Sequence, residues 1–566
     1  MKAGTMTTQT AVAAAIAASA ISVGGGVLGA VHKAAPAAAR RGARAALRGA
    51  ARPAPAAGPA ALRGAPTPRA GGPAAAPAAL RFEVSLPKTM GGVAVSGRLL
   101  VVMSAREQAH PRFSIGRTGL DAPPAIARDM ALMAPGAAAS IDRTAITFPI
   151  ASLDALPAGE YSVQAALLVN PDLKAVDAPG NLSSRTIRVR LDPASKTPVR
   201  LALTERAGPE TLPPDRPLVH YVKLPSPLLS RFWKRPMFLR AGIILPKDFV
   251  SEPRRRYPLW VRIGGFGSRY TAAGGLMREG SPFQKMWLAD DTQRFVAVTL
   301  DGDGPYGDPY QVNSANNGPY GDAVTQELIP YVEQAYRCVG KPGARFLSGA
   351  STGGWVALAL QVFYPDFFNG CWSASPDPVD FRAYELINIY VDTNAYVNKF
   401  GFERPASRTP YGETVYTMRH ECQAENLRGP GNRYTASGGQ WCAWNATFGR
   451  RGPDGRPIAL WDPVTGAMMP GEAEYWKPYD IRAYLEAHWK EIGPRLRGKI
   501  HITVGEGDNY FLNNAVHLLD QFLRSAEPPY GGTIKYGPGQ GHTWSDIDDR
   551  QMLIQMQERR AHAPDG

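Results

Sequence analysis

The stretch Phe346 to Leu360, FLSGASTGGWVALAL, constrains this chain more than any other. A short apolar run, Ala344 to Leu347, reads as a strand, and Trp355, Leu358, Ala359 and Val362 then recur at helical spacing. Between them lie Gly349, Ala350, Ser351, Thr352 and Gly353. A strand that turns into a helix within so few residues leaves no room for side chains beside the turn, and Gly354 relaxes it further. G-x-S-x-G in this context predicts a nucleophile elbow, with Ser351 exposed on a strained turn. A helix N-terminus capped by Ser351 or Thr352 is the competing reading.

The rest of the second half alternates between two periodicities. Phe238 to Leu245, Leu259 to Ile263 and Phe295 to Leu300 read as strands, and Ala323 to Tyr336 as an amphipathic helix. Beyond the elbow, Gly370 to Ala374 reads as strand, Ile481 to Ile492 as helix, Ile500 to Val504 as strand, Asn513 to Leu523 as helix and Thr533 to Tyr536 as strand. Such alternation predicts an α/β fold, a mainly parallel sheet with helices on both faces. Ligands of such sheets sit beyond the carboxyl ends of the strands, where Ser351 lies.

A serine hydroxyl is a weak nucleophile at neutral pH and needs a base that is itself oriented by a third group. In this kind of fold the order is Ser, acid, His, each on a loop after a strand. The segment GEGDNYF places Asp508 just past the strand Ile500 to Val504, and GPGQGHTW places His542 in a loop after Thr533 to Tyr536. Glu506 is the competing acid. His501 alternates within a strand, His517 lies on a helix, and His420 and His488 belong to an interrupting region and the helix after it. Acyl transfer also needs donors for the developing oxyanion. WVRIGGFGSRY ends a strand in small residues, so the backbone N–H of Thr352 pairs with that of Gly265 or Phe266. No G-x-G-x-x-G precedes a helix with an acid at the right distance, which argues against dinucleotide binding. DGDGPYGDPY from Asp301 lacks the glycine and glutamate of an EF-hand, since Val312 stands at position twelve. GPYGD recurs at Gly318, where it is expected to cap a helix beginning near Asp322. No cofactor or metal is called for.

PYGDAVTQELIPYVEQAYR, FLSGASTGGWVALALQVFYPDFFNGCWSASPDPVDFR and the C-terminal GEGD and GHTW together resemble the Putative esterase family of α/β-hydrolases, which includes esterase D, feruloyl esterases, enterochelin esterase-like proteins and mycolyltransferases. The resemblance spans about Pro236 to Gln557. It implies an α/β-hydrolase fold with Ser351, Asp508 and His542 at the triad positions. Ala350 stands where the family often has His, and IGGF where it often has H-G-G-G; neither change removes a backbone donor.

The remaining chain frames this domain. The 566 residues carry a net charge of +14, but residues 1 to 81 hold ten lysines and arginines and no acid, so the rest is nearly balanced and a basic nucleic-acid surface is not expected. Residues 1–33 read as a signal or targeting segment and 34–80 as a disordered Ala/Pro/Arg-rich linker, which implies export to the periplasm or outside the cell. The basic tail offers a weak surface association. Residues 81–207 contain six strand-like segments and no convincing long helix, which predicts an all-β immunoglobulin-like or fibronectin-like sandwich acting as an accessory module. Residues 208–235 read as linker, and 236–560 as the catalytic domain with a cap-like insertion at about 375–478, far longer than an ordinary connection. Its Trp441, Trp444, Trp461, Trp476, Tyr390, Tyr396 and Tyr411 are either stacking residues for a phenolic acyl group or sugar, or the insertion's own core. Cys422 with Cys442 and Cys338 with Cys371 are candidate disulfides; buried free thiols are the alternative.

The expected activity is hydrolysis of a carboxylic ester of feruloyl, siderophore or acyl-sugar type through an acyl-enzyme. The alternatives are an acyltransferase of the mycolyltransferase type and a surface-binding protein on a hydrolase scaffold.

Overall fold

Eight strands of the C-terminal part form one sheet in the computed structural model, which describes residues 79–563. They are β1 (Val219–Pro225), β2 (Phe238–Ile244), β3 (Leu259–Ile263), β4 (Val296–Leu300), β5 (Arg345–Ala350), β6 (Cys371–Ala374), β7 (Ile500–Gly505) and β8 (Thr533–Gly537). Their spatial order is β1-β2-β4-β3-β5-β6-β7-β8. The pairs β1/β2 and β2/β4 are antiparallel and all others parallel. This is the α/β-hydrolase fold. β3, β4 and β5 are almost wholly buried because helices cover both faces. The signal and linker readings at 1–33 and 34–80 lie outside the described residues, apart from 79 and 80.

The segment 208–235 is not merely a linker. Val219–Pro225 completes the sheet edge as β1, and Ser226 caps the helix Pro227–Trp233 through Leu229 N–H. Alternating VHYVKLP is short and ends in proline, so its strand character was hidden among loop residues. The expected helix at Ala323 to Tyr336 starts earlier, at Tyr320, and contains a π-turn at Val324–Leu328. GPYGD does not cap it; Asp322 instead accepts a hydrogen bond from Tyr364 at 2.9 Å.

Strands also build the region before Ala207. Besides the expected runs, Ala125–Met133, Ala138–Ile141 and Leu182–Ser184 are strands. Ala125–Met133 escapes a pattern reading because Arg128 and Asp129 sit mid-strand, and the partner strand Val95–Ser104 is buried on both faces. Leu99, Val101 and Met103 face this region's own core with Val163, Ala165 and Leu167. Leu100 and Val102 face the other way, against Ala424 and Leu427 of the insertion helix Met418–Arg428. Most strand pairs are antiparallel, but Phe82–Ser85 runs parallel to Val199–Arg206.

The two regions are therefore joined by more than a tether. Arg98, only 2% exposed, donates to Leu427 O at 2.8 and 3.0 Å, to Asn432 Oδ1 at 2.7 Å and to Asp129 Oδ1 at 2.9 Å. Backbone N–H groups of Lys174 and Ala175 donate to Asp303, and Gly119 N–H donates to His420. A buried guanidinium with its donors satisfied fixes the insertion helix in place, because any shift strands a charge. All four cysteines are buried free thiols, so neither candidate disulfide forms. Burial pushes each thiol up, Cys371, Cys422 and Cys442 to about 12, which keeps them inert.

Candidate active site

The elbow is built as its glycines require. Ser351 adopts φ 58° and ψ −127°, a strained conformation for a residue with a side chain, between β5 and the helix Thr352–Phe363. A Cβ on Gly353 would lie 2.2 Å from Ile263 O, on Gly349 2.2 Å from Gly353 O, and on Gly354 2.8 Å from Ala374 O. The turn is pinned by Ser351 N–H to Ala374 O at 2.9 Å. Ser351 makes no side-chain cap to the helix, which removes the capping alternative and leaves its hydroxyl for chemistry.

Asp508 and His542 are brought together from the ends of β7 and β8. His542 Nδ1 lies 2.8 Å from Asp508 Oδ2, and Asp508 is fully buried. The acid's other oxygen accepts from Tyr510 N–H at 2.9 Å and Leu512 N–H at 3.3 Å. Asn509 holds the histidine's own N–H at 2.8 Å. The ring edge of Tyr510 meets His542 with centroids 4.9 Å apart. Thr543 N–H donates to Ser375 Oγ, one residue beyond the Ala374 carbonyl that pins the elbow, so the histidine loop is tied to the nucleophile turn. The competing residues are accounted for elsewhere: Glu506 pairs with His517, and His501 stacks on Trp372.

The loop after β3 runs beside the nucleophile. A Cβ on Gly265 would lie 3.7 Å from Ser351 Cβ, so Gly265 borders the nucleophile. The DGDGPYGDPY segment holds this loop. Asp308 accepts from the backbone N–H groups of Tyr310 and Gly267, and burial raises its carboxyl to about 7. Gly302 N–H donates to Ser268 O at 2.7 Å, and Arg269 pairs with Asp301 and Asp303.

Asp377, which no sequence motif marked, sits behind Thr352. Its Oδ2 accepts from Tyr310 OH at 2.5 Å, Thr352 Oγ1 at 2.8 Å, Gln440 Nε2 at 3.0 Å and Trp444 Nε1 at 3.2 Å. Burial raises its carboxyl, and a positive charge on His542 acts to lower it, so the two face one another electrostatically. Gln440 and Trp444 belong to the insertion, whose helix Gln440–Phe448 is thereby fastened to the first residue after the nucleophile. A signal existed only in retrospect: Asp377 lies three residues past the end of β6, on the same sheet edge as Ser351.

The insertion's aromatic residues are core residues continuous with the hydrolase core, Phe448 packing on Tyr310 and Trp355. Trp441, Trp444, Trp461, Trp476 and Tyr396 are all buried, while Tyr411 is exposed at a hairpin tip. The hairpin Pro405–Arg408 and Thr414–Thr417 reaches the acid loop, where Arg408 Nε donates to Asp508 O at 2.9 Å.

Residues 237–556 match the family model Esterase, described as Putative esterase. The chain belongs to that family. It is an esterase of the α/β-hydrolase superfamily, acting on carboxylic esters. Solved structures similar to this esterase include a ferulic acid esterase (13% identity, 61% of this chain and 96% of that one, TM-score 0.34). Others are the fluorophosphonate-binding serine hydrolase FphF of Staphylococcus aureus (15%, 60% and 98%, TM-score 0.36) and an S-formylglutathione hydrolase from Agrobacterium tumefaciens (12%, 61% and 92%, TM-score 0.30). No curated protein sequence matches the esterase.

Proposed function

We propose that the esterase works through a Ser351-His542-Asp508 triad. The observation that carries the reading is the buried Asp508 carboxylate 2.8 Å from His542 Nδ1, at the end of the strand next to that of the elbow loop's anchor. Asp508 holds the imidazole with Nδ1 protonated, leaving Nε2 to take the Ser351 proton. Ser351 attacks the ester carbonyl, and the tetrahedral oxyanion is met by the N–H of Thr352 and that of Gly265 or Phe266. His542 then gives its proton to the leaving alkoxide, and water releases the acid from the acyl-enzyme by the same steps.

The Asp377 network supports this reading, since a buried carboxylate that fixes Thr352 costs desolvation that only a precisely placed donor explains. The substrate proposed is an ester of feruloyl, siderophore or acyl-sugar type, in line with the family resemblance. The Ala-rich apolar stretch Thr10 to Val31, with Ala18-Ser19-Ala20 as a cleavage site, supports export, and the β-rich region is proposed to be an immunoglobulin-like sandwich.

The test is release of p-nitrophenol from p-nitrophenyl acetate by the wild type and by Ser351→Ala. A burst equal to the enzyme concentration in the wild type alone is expected. Equal slow release from both proteins sinks the assignment.

A further inference from the structure

The insertion hairpin grips the loop that carries Asp508, and most of the grip comes from one residue. Arg408 Nε donates to Asp508 O at 2.9 Å, and Arg408 Nη2 donates to Glu506 O and to Asn513 Oδ1, both at 3.3 Å. The guanidinium also lies over the Phe511 ring, 4.3 Å from its centroid. The main chains are joined as well: Arg408 N–H donates to Asn509 O at 2.9 Å, and Asn509 Nδ2 donates to Arg408 O at 2.8 Å. The three side-chain acceptors are carbonyl oxygens, none of them a carboxylate. A planar guanidinium that spreads its donors over such oxygens fixes where each of them stands.

The loop needs holding. Glu506 to Phe511 belongs to no helix or strand, and Phe511 adopts φ 62°, a left-handed conformation that a bulky side chain disfavours. Two of the residues that Arg408 holds, Asp508 and Asn509, are the two that hold His542. Asp508 Oδ2 meets the ring at Nδ1, and Asn509 Oδ1 accepts from the histidine's main-chain N–H. On the same side, a Cβ on Gly541 would lie 3.3 Å from Pro410 Cγ, so the hairpin also packs on the histidine loop. On its other side stands the β-rich region. Gly119 N–H donates to His420 Nε2 at 3.0 Å, and a Cβ on Gly119 would lie 3.9 Å from Tyr416 Cδ1 and from Val415 Cγ1.

We propose that Arg408 is a positioning residue for ester hydrolysis: through Asp508 and Asn509 it sets the bearing of His542 towards Ser351, and the β-rich region steadies its hairpin from behind. The inference rests on the proposed triad. A proton passes from Ser351 to His542 only within hydrogen-bond reach, and a misplacement of about 1 Å costs about a hundredfold in rate. Arg408 acts through the acid loop and not on the reacting atoms. An arginine that only stabilised the fold would lower the melting temperature and leave the turnover of the folded protein alone. A positioning residue lowers kcat, leaves KM, and disturbs the proton shared by Asp508 and His542.

The experiment compares the full-length wild type, Arg408→Ala and Asn509→Ala in steady-state hydrolysis of p-nitrophenyl acetate, with circular dichroism and thermal melting to establish which variants are folded. The proton on His542 Nδ1 is followed by NMR, as the resonance downfield of the amides that His542→Ala lacks. In both variants kcat is expected to fall about tenfold to a hundredfold with KM near the wild-type value, and the downfield resonance to weaken or vanish as the pair loosens and its proton exchanges with water. An unchanged kcat in whichever variant is folded, or a lowered kcat with the resonance undisturbed, overturns the proposal. The resonance is also recorded in Ser351→Ala with and without Arg408→Ala, where it does not depend on turnover. Its loss in the double variant upholds the hold of Arg408 on the pair, and its persistence overturns it. Failure of the wild type to release a burst of p-nitrophenol sinks the triad mechanism and leaves this reading to be judged by itself.

Discussion

His542 Nδ1 and Asp508 Oδ2 are 2.8 Å apart, and the acid is fully buried. The acid therefore fixes which imidazole nitrogen bears the proton. Asp508→Asn preserves the shape and offers Nδ1 a donor instead of an acceptor. A fall in kcat of about ten thousandfold with KM little changed is expected in steady-state ester hydrolysis. A fall of less than tenfold contradicts the assignment of the acid.

Asp377 acts through Thr352 rather than on the substrate. Asp377→Asn leaves a neutral amide facing four donors and frees Thr352 to shift, which moves a donor of the proposed oxyanion hole. Here kcat is expected to drop about tenfold to a hundredfold, with KM close to the wild-type value. Thr352→Val should reproduce the same split. A rise in KM at unchanged kcat would place Asp377 in substrate binding instead.

Two glycines near Ser351 separate folding from chemistry. A methyl on Gly353 meets backbone oxygens at 2.2 and 2.5 Å, whereas on Gly265 its nearest neighbour is Ser351 Cβ at 3.7 Å. Gly353→Ala is expected to lower the denaturation midpoint sharply or to prevent soluble expression. Gly265→Ala should melt within a few degrees of the wild type and still lose turnover, because the methyl projects into the space beside the nucleophile. Equal melting of the two variants contradicts the elbow geometry.

Stability should fall as the solution becomes alkaline. Burial first, and repulsion from Glu425 second, raise the Glu421 carboxyl from 4.5 to about 8. The folded protein thus binds this proton more tightly than the unfolded chain, and the resulting stability is complete below about pH 4.5 and is lost as pH rises through about 8. Glu425, raised to about 7 by burial, acts in the same direction. The melting temperature is expected to drop between pH 5.5 and 8.5, and Glu421→Gln should make that drop smaller. An undiminished drop in the variant assigns the pH dependence to other groups.

Much of the hydrolase domain is legible in the sequence because its strands are buried on both faces and read as continuous apolar runs. The elbow is legible because sterics demand glycine at fixed offsets from Ser351, Asp508 because it follows the strand Ile500–Gly505, and His542, after the exposed edge strand Thr533–Gly537, because the order Ser, acid, His calls for it there. β1 is not, since VHYVKLP is an edge strand embedded in loop-like sequence. Ala125–Met133 is not, since Arg128 and Asp129 interrupt it and Asp129 is used across the interface by Arg98. The insertion's role is also hidden: Gln440 and Trp444 reach Asp377 across more than sixty residues of chain, and no local pattern carries a contact of that range. Nor does sequence show that the β-rich region braces the insertion helix, because Leu100 and Val102 look like any other core positions.

The central claim is that Ser351 forms the covalent intermediate. Wild-type protein is treated with diisopropyl fluorophosphate, digested, and the modified peptide sequenced by mass spectrometry, with His542→Ala alongside. A single adduct on Ser351 in the wild type, with labelling slowed by orders of magnitude in the variant, is the predicted result. Labelling at another residue, or equal labelling of Ser351 in both proteins, contradicts the account.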